Sequence, residues 1–281
     1  MKTVKNSVEV DKTDVSELEW MSPIKRLTKD LKNAAITLSS REARYLVDSY
    51  YMMQEQRKRS ANQVLSMEGA EPHALLSWFL EQTTTLENQI KRALDAYTSS
   101  HMMGTWMREI YGIGPVISAG LLAHIDIEQA PTAGHIWRYA GLDPTSKWLA
   151  GEKRPWNAQL KVICWKAGQS FMKFSKKEQC RYGHLYLERK AYEIARNDSG
   201  GNTEVAAKLL TEKKWSKGTE AYKSLIIGKL PPGQIDARAR RYAVKIFISH
   251  LQAEWYRRHF KKEPPAPYAI AILGHAHMIE P

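Results

Sequence analysis

Gly112, Ile113, Gly114, Pro115 and Val116 form a stretch whose chemistry lies in its main chain. The two glycines permit a tight turn with positive φ, and they leave no side chain between the backbone and a ligand. Pro115 suits the first turn of a following helix, where its missing N–H costs nothing. The free amides at that helix start, reinforced by the helix dipole, favour an anion. An ordinary turn between two helices would use the same residues, so the charge of the chain has to say which anion is on offer.

The 281 residues include 42 Lys+Arg and 30 Asp+Glu, a net charge of +12. That balance favours a polyanionic partner, and a nucleic-acid phosphate is the anion to expect. The excess is concentrated. Between residues 153 and 190 there are ten basic residues and two acidic ones, Glu178 and Glu188, with Trp165, Tyr182 and Tyr186 interleaved. Lys153, Arg154, Lys161, Lys166, Lys173, Lys176, Lys177 and Arg181 are therefore expected to track phosphates together with residues 112–116. Arg189 and Lys190 complete the ten. The plainer alternative is the solvated face of a core helix.

Other chemistry-bearing residues are thinly supported. Ser146 is a candidate nucleophile, but a hydroxyl needs an activating base and none is evident, so a cap or turn hydroxyl is expected. Asp48 and Glu55 fall two turns apart on one helix, too far to converge on one ion unaided, and with Glu68 they read as surface charge. His275, His277 and Glu280 lack the ligand number and fixed geometry of a metal site, so no metal is expected there. His124 lies on an apolar helix and reads as core. Cys164 and Cys180 fit neither a zinc site nor a disulfide scaffold, which makes a reducing cytosol the default.

The elements that must position these residues read as helices throughout, with no useful strand alternation. Ser39 and Glu42 give a start signal for a helix over 42–64. A second long helix runs over 71–97, with Leu76, Phe79, Leu80, Leu86, Ile90 and Leu94 on one face for packing or dimerisation. Residues 106–110 lead into the glycine turn. A short helix follows, capped by Thr132 and ended at Gly141. Further helices are expected from Asn157, over 203–213, over 218–228 and over 234–260, the last crowded with Arg238, Arg240, Arg241 and Lys245. The fold class is all-α: a helical bundle around a helix-hairpin-helix domain with long flanking helices. The expected division is a flexible arm with room for a short helix (1–38), long helices (39–100), the hairpin domain with its basic helix (101–190), C-terminal helices (191–262) and an extended tail (263–281).

The run 110–144 resembles the C-terminal transposase domain of the IS110/IS116/IS902 family. The matching residues are Gly112, Ile113, Gly114, Pro115, Leu121, Leu122, Ala123, Tyr139, Ala140, Gly141, Leu142 and Pro144. The resemblance implies a helix-hairpin-helix fold and structured or branched DNA as a target, with structured RNA kept open. Such turns elsewhere hold a monovalent cation on backbone carbonyls, which is the one cofactor the resemblance suggests. Full-length relatives add an RNase H-like domain with acidic metal ligands. About a hundred residues precede the turn here and read helical, so that domain is expected to be absent. The family's serine lies in a loop that here reads Leu149-Ala150-Gly151-Glu152-Lys153, which puts catalysis in doubt.

The expected function is DNA binding without catalysis by this chain alone. The rival reading is an active transposase or recombinase, with Mg²⁺ if catalytic, using Ser146 or a partner's carboxylates. A third is an assembly protein in which the turn only packs helices. No apolar stretch approaches a membrane span and no hydrophobic leader opens the chain, so a cytoplasmic protein is the expectation; the long helices of 39–100 leave a homodimer open beside simple packing.

Overall fold

The computed structural model describes residues 27–67 and 74–265. His275, His277, Glu280 and Glu68 lie outside them, as does most of the expected N-terminal arm and C-terminal tail. The described residues form eleven α-helices and no strand, so the all-α reading holds.

The helices follow their local signals. α1 (Lys29–Ala34) is capped by Thr28 and leads through a 3₁₀ turn at Ala35–Thr37. This segment, read as part of an arm, is docked: Gln89 accepts from the Leu27 amide at 2.9 Å and Ala35 is buried. Its anchor lies 62 residues away, so local periodicity could not reveal it. α2 (Ser40–Leu65) opens with a full Ser39/Glu42 capping box, which satisfies two orphan amides reciprocally. α2 and α3 (Ala74–Ser100) pair antiparallel. Arg57 meets Glu87 at one end, while Ser40 and Arg44 face Tyr97 at the other.

α4 (Met102–Glu109) and α5 (Pro115–His124) flank the glycine turn. α5 is apolar all round, and eight of its ten residues are buried. That pattern belongs to an interior helix. It packs on α2, α3, α4 and α7 (Ala158–Lys173), so it is the axis of the molecule. α6 (Ala133–Tyr139) ends in a Schellman motif: Leu142 N donates to Trp137 O at 2.7 Å, Gly141 N donates to Arg138 O at 3.1 Å, and Gly141 has φ 63°. Thr132 sits at the N-cap, but its hydroxyl pairs with His135 Nδ1 at 2.9 Å rather than with a helix amide.

α8 (Arg181–Asp198) and α11 (Pro232–Phe260) pack against each other and, through α7, on the same core. The join is polar as well as apolar. Buried Glu193 receives Arg189 at 2.6 Å and Arg238 at 3.2 Å, which supplies the pairing a buried carboxylate requires. α9 (Thr203–Glu212) and α10 (Glu220–Ile226) close a smaller cluster of Ala206, Leu225, Leu230 and Ile235. Asn197 holds that cluster to α8: its amide oxygen accepts from Leu230 N at 2.8 Å and its amide donates to Leu230 O at 3.1 Å.

Candidate nucleic-acid interface

The turn between α4 and α5 is narrow because Ile113 N donates to Ile110 O at 3.0 Å. Gly112 has φ 96°, a conformation that suits glycine. Gly114 does not share it. Its φ of −92° and ψ of 177° are ordinary extended backbone at the N-cap of α5, so the expected positive φ applies to one glycine only. Gly114 matters for space instead: a Cβ there would meet nothing within 4 Å. α5 begins with Pro115 and no side chain caps it. Ile113 and Val116 point into the core and hold the turn in place.

The turn is fastened from behind by α7 and α8. The Ser170 hydroxyl donates to Gly112 O at 2.5 Å, and Cys180 Sγ donates to Tyr111 O at 3.7 Å. The Tyr111 ring meets Phe174 edge-on at 5.5 Å. The carbonyls of Ile110 and Gly114 are also used, accepting from Ile113 and Ser118. A monovalent cation would therefore share every one of these carbonyls with a donor already in place.

This fastening brings one part of the basic sequence to the turn. Ser170, Phe174 and Cys180 bracket the junction of α7 and α8, where Lys173, Lys176, Lys177 and Arg181 are exposed. Lys173 lies over the Phe174 ring at 5.5 Å, one ring removed from Tyr111. Among the described residues no carboxylate pairs with Lys173, Lys176 or Lys177.

Lys153, Arg154 and Lys161 sit at the far end of α7. Twelve residues of helix separate Lys161 from Lys173, about 18 Å at 1.5 Å per residue. Lys161 lies over the Trp156 ring at 4.0 Å and Arg154 over Trp148 at 4.6 Å, while Lys153 is exposed. Lys166 faces α2, over the Tyr51 ring at 4.4 Å. Arg189 and Lys190 are taken up internally by Glu193 and Asp236. The ten basic residues thus resolve into a cluster at the turn, a cluster at the start of α7, Lys166 against α2, and two structural ion pairs.

The second cluster gains residues the sequence did not single out. A cavity of about 510 Å³ opens between the 141–146 turn, α7 and α11, and Lys161, Arg240, Arg241, Trp156 and Trp165 line it. Arg240 and Arg241 appeared in the sequence only as charges crowding the last helix. The signal that could have flagged them was a run of cations on a helix with so many apolar positions to bury. Burial, then the charges of Arg241 and Arg154, pull the Lys161 ammonium below its usual range.

Ser146 also lines this cavity. Its hydroxyl is 3.5 Å from Asp143 Oδ2, at the outer edge of hydrogen bonding. Asp143 accepts from Thr145 N at 2.9 Å and from its hydroxyl at 2.8 Å. The Thr145 amide above all holds the Asp143 carboxyl below its ordinary range, which makes it a weak base. Burial pushes the Cys164 thiol up to about 12, so it is not a nucleophile at neutral pH. Asp48 accepts from Gln159 at 2.7 Å, and Glu55 from Lys58 at 3.0 Å. Among the described residues no group of His, Cys, Asp or Glu is placed to hold a metal ion, and no helix is long and apolar enough to cross a membrane.

Residues 105–184 match the family described as Transposase IS116/IS110/IS902. The matched segment takes in α4, the turn, α5, α6, α7 and the start of α8. No curated protein and no solved structure matches the chain.

Proposed function

From the match of residues 105–184 to the IS116/IS110/IS902 transposase family we propose that this protein binds DNA through the turn at 112–116 and the cations of the α7–α8 junction. The turn is a helix-hairpin-helix element, and its amides take a backbone phosphate. Lys173, Lys176, Lys177 and Arg181 take neighbouring phosphates along the strand. The observation that carries this reading is the uncapped start of α5 fastened beside a group of lysines without carboxylate partners. Such contacts position a backbone and read no bases, so structured or branched DNA is favoured over a defined sequence.

The test is fluorescence anisotropy with duplex, single-stranded and branched DNA and with a structured RNA, at several salt concentrations. Binding of DNA that weakens steeply with salt is expected. Equal indifference to all four probes at low salt overturns the reading.

Ser146 and Asp143 on the rim of a cation-lined cavity favour a second reading, a transposase or recombinase that cuts strands. Nicking of supercoiled plasmid with Mg²⁺ or Mn²⁺, lost in Ser146→Ala, would establish it. Our expectation is no nicking by the isolated chain, because Asp143, the carboxylate beside Ser146, is already occupied by Thr145 and weakly basic.

A further inference from the structure

The cavity at the start of α7 has a chemistry that phosphate tracking along the turn does not use. It lies about 18 Å along α7 from the α7–α8 junction, and its walls combine cations with indoles. Its volume of about 510 Å³ falls within the range of small-ligand sites and is far too small for a duplex.

The cations are gathered without matching acids. Asp236 reaches Arg240 at 2.8 Å but is shared with Lys190 and Tyr186. Among the described residues no carboxylate lies within salt-bridge distance of Lys161, Arg241 or the adjacent Arg154; Glu193 attracts Arg241 from farther off but is already taken by Arg189 and Arg238. Among the described residues Asp143 is the carboxylate that lines the cavity, and two hydrogen bonds from Thr145 hold it in its turn. Like charges held together destabilise one another until an anion arrives. Burial is the main cause of the drop in Lys161 basicity, and repulsion from Arg241 and Arg154 adds to it.

The indoles are not equivalent. Trp156 is packed: a Cβ on Gly141 would fall 2.7 Å from its ring, and Lys161 covers it at 4.0 Å. Trp165 is 54% exposed although its large apolar ring borders the cavity, and the cation nearest its ring, Lys166, stands 5.7 Å from the centroid and leans on Tyr51 at 4.4 Å. An exposed indole beside unpaired cations offers a stacking surface and a phosphate site together. Nucleobases stack on such rings regardless of sequence.

We propose that this cavity takes a single unpaired nucleotide, its phosphate on Lys161 and Arg241 and its base on the Trp165 indole. Where that nucleotide belongs to a DNA strand, the proposal rests on the DNA-binding reading. A strand end or a nucleotide turned out of a duplex would then be captured here while the turn holds paired backbone.

Two probes test it on the full chain. The first is dAMP titrated by calorimetry, with inorganic phosphate as the comparison. The second is anisotropy with a blunt duplex and with the same duplex carrying a short single-stranded overhang. Tighter binding of dAMP than of phosphate is expected, along with a preference for the overhang. Trp165→Ala should reduce both by about tenfold and leave the blunt duplex unaffected, Trp165→Phe should restore most of the loss, and Arg241→Gln should weaken dAMP. Circular dichroism checks that each variant is folded. Trp165-dependent binding of either probe supports the proposal. It is overturned if binding ignores Trp165→Ala, or if dAMP fails to bind and the overhang adds nothing. Loss of all duplex binding with Trp165-dependent dAMP binding intact would remove the DNA reading alone.

Discussion

The Ser170 hydroxyl donates to the Gly112 carbonyl at 2.5 Å, and so the end of α7 holds the glycine turn that opens α5. The bond spans 58 residues of sequence and joins the two pieces of chain from which the proposed phosphate site is built. Removing it in Ser170→Ala should cost about 1 kcal/mol, a fall in melting temperature of roughly 2–4 °C. DNA affinity should fall as well, since the amides of the turn lose a fixed backing. A variant with unchanged melting temperature would show that the bond adds nothing in solution.

The two glycines of the turn should respond differently to the same change. Gly112→Val places a branched residue at φ 96° with Ser170 Oγ 3.3 Å from its Cβ, and should destabilise the fold by roughly 1–3 kcal/mol. A Cβ at Gly114 meets nothing within 4 Å at an unstrained φ, so Gly114→Val should lower the thermal transition far less than Gly112→Val, by no more than a poorer N-cap costs. If backbone approaches DNA at this point, Gly114→Val should nonetheless bind markedly less well. Normal DNA binding by a folded Gly114→Val would make the turn a packing element.

Salt should separate phosphate contacts from bystanders. Each phosphate neutralised adds about 0.9 to the slope of log affinity against log salt. Lys176→Gln and Lys177→Gln should each flatten that slope by about 1, equally for all sequences. Lys190→Gln, whose ammonium is tied to Asp236 at 3.0 Å, should leave the slope alone and lower stability instead. Equal slopes for all three variants would remove the α7–α8 junction from the interface.

Stability should depend on the protonation of His124. Burial, with the Arg44 charge as a second cause, pushes its pKa from 6.5 down to about 4. Between those values the unfolded chain binds a proton that the folded chain refuses. Stability is therefore complete above pH 6.5 and falls as pH drops toward 4, by about 3 kcal/mol. Its Nδ1 has no hydrogen-bond partner among the described residues, so His124→Leu removes a polar burden. Urea unfolding at several pH values should show that loss in the wild type and a flatter profile in His124→Leu. Parallel profiles would assign the acid sensitivity to other groups.

Much of the helical framework is legible in local chemistry. The Ser39/Glu42 box, Asn157 at the start of α7, Gly141 at the end of α6 and the breaker before α11 all act within a few residues of themselves. Such signals survive in sequence because the atoms involved are neighbours in the chain. The turn of residues 112–114 was legible for the same reason, though whether each glycine served conformation or space was not.

The sequence by itself therefore determined an all-α chain, its helix ends and a basic stretch following a glycine turn. Tertiary structure decided which of those charges remain available. Lys190 disappears into an ion pair because α8 packs on α11 and brings Asp236 within reach, and the same packing adds Arg238 to the Arg189–Glu193 pair already made within α8. Arg240 and Arg241 join Lys161 because α11 returns, some eighty residues later, across the start of α7. Charge along a chain is additive and readable, whereas its pairing depends on distances set only when distant helices pack.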